Sequence, residues 1–292
     1  MFAKKGLSSH LFDIFNYAFL GLIAITTLVP FIYVLAASFS TDAEIAVRSF
    51  YLIPHKFTLD AYKYVFSSSV VIRSLFNSVY ITIIGTLINL FFTFTLAYFL
   101  SKNVIGKNVI INGIIFCMIF SGGMIPTYLL VKSLGMLNTY WALWLPGAIS
   151  PFNLFIVVNY FKQFPTELEE AAKIDGCNDL QILGRIVLPL SKPILATFAL
   201  FYGVGNWNAF FNALLYLNDS NKWPIQVTLQ NIVMNSSGIM SNYQSLTDPN
   251  YVPPAASMRM AVIIIATVPI MLVYPFLQKY FVKGIMIGSL KG

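Results

Sequence analysis

The amino-acid sequence predicts an all-α membrane protein with six transmembrane helices, and three observations carry that reading. Of 292 residues, 58% are apolar and only 10% charged, whereas an ordinary soluble domain carries roughly 25% charged residues. Six long apolar runs contain no Asp, Glu, Lys or Arg. The Lys and Arg residues between the runs gather on alternate loops. A chain this apolar lacks the polar surface to cover itself in water, so its solvent is a bilayer and a soluble enzyme is excluded.

The runs are 15–39, 74–101, 108–131, 139–161, 194–217 and 260–277, each near the length of about 20 residues that crosses the hydrocarbon core. The first follows Lys4 and Lys5 as a signal peptide would, but it is longer than an h-region and lacks an A-x-A site, which predicts a retained helix. With the N-terminus in the cytoplasm, Lys4, Lys5, Lys102, Lys107, Lys162, Lys173, Arg185, Lys192, Lys279, Lys283 and Lys291 fall inside, 11 of the 18 basic residues. Both termini are therefore expected in the cytoplasm. The net charge of +7 is read as this topology signal, with no nucleic-acid partner. The outer segments 40–73 and 218–259, rich in Pro, Ser, Asn and aromatic residues, are expected to be folded caps on a single transmembrane domain over 1–292.

Catalytic constellations are missing. Cys117 and Cys177 are too few for a disulfide framework or a metal site. His10 and His55, the two histidines, are far apart in sequence, and no H-E-x-x-H or nucleophile–base pair occurs. Gly106-Lys107-Asn108 is not a P-loop, so the chain has no ATP site of that kind. No Asp, Glu, Lys, Arg or His lies within a run, which disfavours an ion-coupled sugar carrier, the alternative reading beside some other integral membrane protein. The neutral polar residues concentrate in the fifth run. There Asn208 and Asn212 are four apart, as are Tyr202, Asn206 and Phe210, which predicts two rows on a continuous helix. Amides beside rings suit a sugar, so Asn206, Trp207, Asn208, Phe210 and Asn212 are the candidate substrate-pathway residues. The same residue types also serve as hydrogen-bonded glue between membrane helices. Pro30, Pro126, Pro146, Pro269 and Pro275 are candidate kinks.

Between the fourth and fifth runs, Glu167, Glu169, Glu170, Asp175 and Asp179 place five of the 11 acidic residues in 13 positions. Thr166 and Glu169 have capping-box spacing, and early carboxylates favour a helix N-terminus. Gly176 can close that helix, and Asn178 with Gln181 can open a second one. The expectation is a cytoplasmic helix, a glycine turn and a helix, whose small Ala171 and Ala172 permit close approach to a groove.

The pattern Glu170-Ala171-Ala172, three residues, Gly176, nine residues, Ile186, one residue, Leu188-Pro189 is similar to the EAA loop of binding-protein-dependent ABC importers, with Cys177 where an alanine commonly stands. Phe57-Thr58-Leu59-Asp60-Ala61-Tyr62, Asn77-Ser78, Trp207-Asn208-Ala209-Phe210 and the ending from Gln278 to Gly284 with Lys291-Gly292 resemble the second permease of maltose-type sugar systems. Segments 120–128 and 137–143 resemble the branch that handles polygalacturonan and rhamnogalacturonan oligosaccharides. This resemblance implies a MetI-like type I importer permease forming half of a translocation pathway in the bacterial cell (inner) membrane, a transport subunit and not an enzyme. It further implies a coupling loop over 162–189, in which Glu170, Ala171, Ala172, Asp175, Gly176, Ile186, Leu188 and Pro189 meet an ATPase subunit, and a short flexible tail over 284–292 whose Ser289, Leu290, Lys291 and Gly292 touch that ATPase. The implied partners are a second permease, two ATPase subunits that bind ATP and Mg, an external sugar-binding protein, an oligosaccharide and membrane lipid. No cofactor or metal is expected in this chain.

Overall fold

The computed structural model describes the backbone of residues 7–235 and 256–289, and the side chains of 9–234, 256–273 and 275. The described residues are helices and connecting turns. In order they are α1 (Leu7–Ser38), α2 (Asp42–Val47), α3 (Asp60–Ser67), α4 (Ser69–Ser101), α5 (Lys107–Ile119), α6 (Met124–Ser133), α7 (Trp141–Trp144), α8 (Pro151–Phe161), α9 (Thr166–Ile174), α10 (Asp179–Ile182), α11 (Leu188–Leu190), α12 (Lys192–Trp207), α13 (Phe211–Tyr216), α14 (Ile225–Asn235) and α15 (Ala256–Ser289). Among the described residues, three helices are long and apolar enough to cross a membrane: Ser9–Ser38, Ser69–Ser101 and Ala256–Val273. A fourth candidate is the pair Asp179–Leu190 and Lys192–Trp207, bent by 87°.

Three of the six sequence runs are broken helices. Run 108–131 is interrupted at Phe120-Ser121-Gly122-Gly123, where Gly123 takes φ 84°, a conformation closed to most L-residues. Run 139–161 breaks between Trp144 and Pro151, because Pro146 has no N–H to extend a helix and Pro151 opens the next one at its first turn. Run 194–217 breaks after Trp207, where Phe210 N donates to Asn208 O at 2.7 Å. A broken helix frees backbone groups that lipid cannot satisfy, so side chains of the same protein must do so. Asn89 and Tyr202, described below, are spent on that task.

By contact the chain divides into two compact units, Met1–Ile72 with Leu229–Thr267, and Arg73–Thr228 with Val268–Gly292. In the first, the end of α1 packs Ala36 and Ala37 against Tyr51. Ser38 Oγ bonds Tyr62 Oη at 2.8 Å, and Phe39 stacks on Phe57 at 4.9 Å. Glu44 of α2 ties down the following loop by accepting from His55 N at 2.8 Å and Arg48 Nη1 at 3.0 Å. These donors, the His55 backbone N–H first, hold the Glu44 carboxyl below the usual carboxylate range. The segment 40–73 thus holds packed and hydrogen-bonded residues, while 236–255 of the segment 218–259 lie outside the described residues. Upstream, α1 leaves Leu11, Phe12, Phe15 and Leu22 exposed, as a helix solvated by lipid does.

In the second unit the core joins Phe94, Tyr98 and Leu100 of α4, Leu154, Val158 and Phe161 of α8, Ala172 of α9 and Phe198 and Tyr202 of α12. Edge-to-face rings knit it, with Phe94 5.8 Å from Phe161 and Tyr98 6.2 Å from Phe161. Helix α15 runs on to Ser289, so 284–289 of the tail expected to be flexible are helical. Leu290, Lys291 and Gly292 lie outside the described residues.

Candidate functional site

The acidic segment folds as helix, glycine turn and helix. Gly176 takes φ 81°, Cys177 N donates to Ala172 O at 2.9 Å, and Gly176 N donates to Lys173 O at 3.0 Å. That pair of bonds is the Schellman closure, which needs a left-handed residue where Gly176 stands. Asn178 and Gln181 then form a reciprocal capping box, both bonds 2.9 Å. The capping box expected at Thr166 and Glu169 is absent. Pro165 is the residue before α9, and no side chain caps it. Glu169 instead reaches across to Lys102 and forms an ion pair with its Nζ, because a carboxylate on the buried face gains more from a cation than from a backbone N–H.

Helix α9 therefore has two faces. Glu169 and Ala172, three apart, turn inward, and Ala172, 5% exposed, belongs to the core with Tyr98, Phe161 and Ile182. Glu167, Leu168, Glu170, Ala171 and Ile174 turn outward, with Ile174 87% exposed and Leu180 of α10 73% exposed. Asp175 and Gly176 are exposed at the turn, and Lys173 spans it to Asp179 at 3.4 Å. Downstream, Leu183–Val187 winds as a π-helix. Pro189 explains this, since a proline ring clashes with the carbonyl four residues back and a wider turn relieves it. Ile186 and Leu188 pack on the same core as Ala172, while Pro189 is exposed. The structure thus brings Glu170, Ala171, Asp175 and Gly176 to one surface and takes Ala172, Ile186 and Leu188 away from it.

The fifth-run residues part company in the same way. Because α12 ends at Trp207, Asn208 lies in the turn that follows it, Asn212 lies in α13, and the expected rows do not continue. Asn206 donates to Asn89 Oδ1 at 2.9 Å, and Asn89 donates to the carbonyls of Gly147 at 2.8 Å and Ala148 at 3.0 Å. Tyr202 bonds Thr93 Oγ1 at 2.8 Å and accepts from Ser150 N at 3.3 Å. These groups satisfy the break between α7 and α8. Trp207 is buried beside an apolar cleft of about 230 Å³ walled by Val79, Ile83, Leu200 and Ile270. Asn208 and Asn212 are exposed, and Phe210 is half-buried. Asn89 and Thr93 were missed in the sequence, although their spacing of four within an apolar run marks one helix face.

A second cleft of about 360 Å³ lies among Tyr80, Thr139, Tyr140, Trp141, Trp144 and Lys222. Asn138, at φ 58°, frames it. Its N–H donates to Tyr216 O at 2.8 Å, its Oδ1 accepts from Asp219 N at 3.1 Å, and its carbonyl accepts from Lys222 Nζ at 2.7 Å.

Known proteins align with this chain over nearly its whole length. Protein LplC of Bacillus subtilis is 57% identical over 98% of this chain and 96% of its own. The polygalacturonan/rhamnogalacturonan transport system permease protein YtcP of the same organism is 51% identical over 98% of this chain and 100% of its own. A crystal structure of a bacterial ABC transporter involved in the import of the acidic polysaccharide alginate contains a chain 34% identical, which superposes with a TM-score of 0.86 over 96% of this chain and 100% of that one. Residues 1–287 match the family described as the binding-protein-dependent transport system inner membrane component. With an all-helical fold, a lipid-facing surface and these relatives, the chain belongs to that family, a membrane transport component and not an enzyme.

Proposed function

We propose that this chain is one half of the membrane pathway of an ATP-driven oligosaccharide importer, working with a second permease, two ATPase subunits and an external sugar-binding protein. It crosses the membrane six times as one permease domain, with both termini cytoplasmic and the broken helices counted as spans. The observation that carries the coupling role is the outward face of α9 and α10, where Leu168, Ala171, Ile174 and Leu180 are exposed next to Glu167 and Glu170. In the proposed topology this face lies in the cytoplasm, where lipid cannot cover it, so an ATPase groove is its natural cover. Ala172 supports the face from beneath. The residues Ser289 to Gly292 extend toward the same subunits in this reading.

The oligosaccharide class is supported by the substrates named for the relatives, polygalacturonan and rhamnogalacturonan for one and alginate for another. Closure of the ATPase pair would displace α9 and switch the spans between inward- and outward-facing states. Docking of the loaded binding protein would favour the outward state, as coupling between distant sites requires. The test is uptake of a labelled oligogalacturonate into proteoliposomes holding the full complex. Uptake that needs ATP and survives ionophores is expected. Uptake that follows an ion gradient without ATP would overturn the proposal.

A further inference from the structure

We propose that the cleft lined by Tyr80, Thr139, Tyr140, Trp141, Trp144 and Lys222 is a subsite for an acidic sugar residue, which Lys222 holds by its carboxylate while the rings take its C–H faces. This inference rests on the importer reading above and adds to it a place and a charge preference.

Four aromatic rings converge there. Tyr80 lies 5.6 Å from Tyr140 and 5.8 Å from Trp144, and Trp141 lies 5.4 Å from Trp144. Trp144, 5% exposed, is the floor, while Tyr80 and Trp141, 50% and 51% exposed, are the rims. The Trp144 indole N–H is already given to Ile81 O at 3.1 Å, so this ring is fixed and presents carbon to the cleft. A sugar ring offers that surface the axial C–H groups it stacks with. The volume of about 360 Å³ lies within the range of small-molecule sites, roughly 300 to 1,000 Å³.

Lys222 supplies the polar end. Its ammonium has three donors and spends one on Asn138 O at 2.7 Å, which aims the group without neutralising it. Among the described residues Lys222 forms no ion pair with a carboxylate. A cation held by a backbone carbonyl in the wall of an aromatic cleft is arranged for an anionic ligand. Aromatic residues at a membrane boundary also form belts, but belt rings are anchored singly with their polar atoms toward the interface. Here the indole N–H turns inward and the rings meet one another.

The experiment uses the reconstituted complex with saturating loaded binding protein, and compares uptake of trigalacturonate with that of its fully methyl-esterified, uncharged form. Lys222→Glu is expected to lower trigalacturonate uptake at least tenfold and uptake of the ester less than twofold, with Lys222→Arg close to wild type. Tyr80→Ala and Trp141→Ala are expected to lower both. Wild-type trigalacturonate uptake by Lys222→Glu, or an equal loss for both sugars, would overturn the subsite, the second result meaning that the lysine only holds the Asn138 turn. A wild-type complex that imports the ester alone would overturn the charge preference while leaving the importer reading standing. A wild-type complex that imports neither sugar would remove both.

Discussion

Lys102, just beyond the end of α4, forms an ion pair with Glu169 on the inner face of α9. Lys102 Nζ also lies 4.5 Å from the centre of the Tyr98 ring, and Lys107 Nζ donates to the Lys102 carbonyl at 3.0 Å. A long apolar helix and the short acidic helix are thereby joined at one point. Removing one member of a well-buried pair strands the other charge, which costs several kcal/mol in a dry site. Here Lys102 retains 30% of its side-chain exposure, so about 2 kcal/mol is the scale expected. Lys102→Glu and Glu169→Lys should each lower the melting temperature of the purified permease pair, and the double exchange should recover at least half of the loss. Additive losses in the double variant would show that the pair does not couple the two helices.

The two alanines of the acidic helix should respond differently to the same substitution. Ala172 is enclosed by its own core, so Ala172→Arg forces a charge among Tyr98, Phe161 and Ile182 and should reduce the amount of folded permease in the membrane. Ala171 is exposed, so Ala171→Arg should leave expression and pairing with the second permease intact. It should weaken capture of the ATPase about a hundredfold, equivalent to about 3 kcal/mol. Co-purification of each subunit with the tagged variant reads both effects. Normal ATPase capture by Ala171→Arg would show that the outward face is not the docking face.

The contrast between these neighbours shows what the sequence could and could not reveal. The helix, its glycine closure and the second capping box follow from residue types at fixed spacing, and Gly176 and Asn178 with Gln181 adopt the geometry those types favour. Which face of α9 points inward depends on Lys102, 67 positions away in the chain, and no local rule supplies that partner. The apolar runs were legible for the same local reason. Their breaks were only half legible, because Pro146 and Gly123 mark two of them, whereas the stop after Trp207 has no proline or glycine at its break. The packing role of Asn206 was hidden for the same reason as the inner face of α9, because its partner Asn89, which covers the Gly147 and Ala148 carbonyls, lies 117 positions away.

Acid should loosen the loop that Glu44 ties down. Its carboxylate accepts from the backbone N–H of His55 first, and then from Lys56 and Arg48, and these bonds hold its pKa below the usual value. A carboxyl with a depressed native pKa contributes stability above its unfolded pKa and loses it as pH falls through the native value. The protection of the His55 and Lys56 amides, taken relative to the unstructured exchange rate at each pH, should therefore be high at neutral pH and fall once the medium drops below the ordinary carboxylate range. Glu44→Gln should remove that pH dependence. Equal protection at pH 7 and pH 3 in the unmodified chain would mean that the carboxylate does not hold this loop.

Asn206 and Asn208, two positions apart, separate the packing role of the fifth run from the transport role proposed for it. Asn206→Leu removes the donor to Asn89 Oδ1 and loosens the side chain that covers the Gly147 and Ala148 carbonyls, with a cost of about 1 kcal/mol for a hydrogen bond between membrane helices. Gly85→Ala should act on the same contact from the other side, since an added Cβ would lie 2.9 Å from Asn206 Nδ2 and 3.0 Å from Trp144 Cδ1. Both variants should lower thermal stability in detergent, and the pair combined should lose less than the sum, because they disturb one site. Asn208 is exposed at the end of α12, so Asn208→Leu should leave stability unchanged while lowering oligosaccharide uptake if that side chain borders the pathway. Unfolding midpoints measured beside initial uptake rates distinguish the two positions. A stability loss for Asn208→Leu as large as that for Asn206→Leu would place both amides in packing and leave the pathway to other residues.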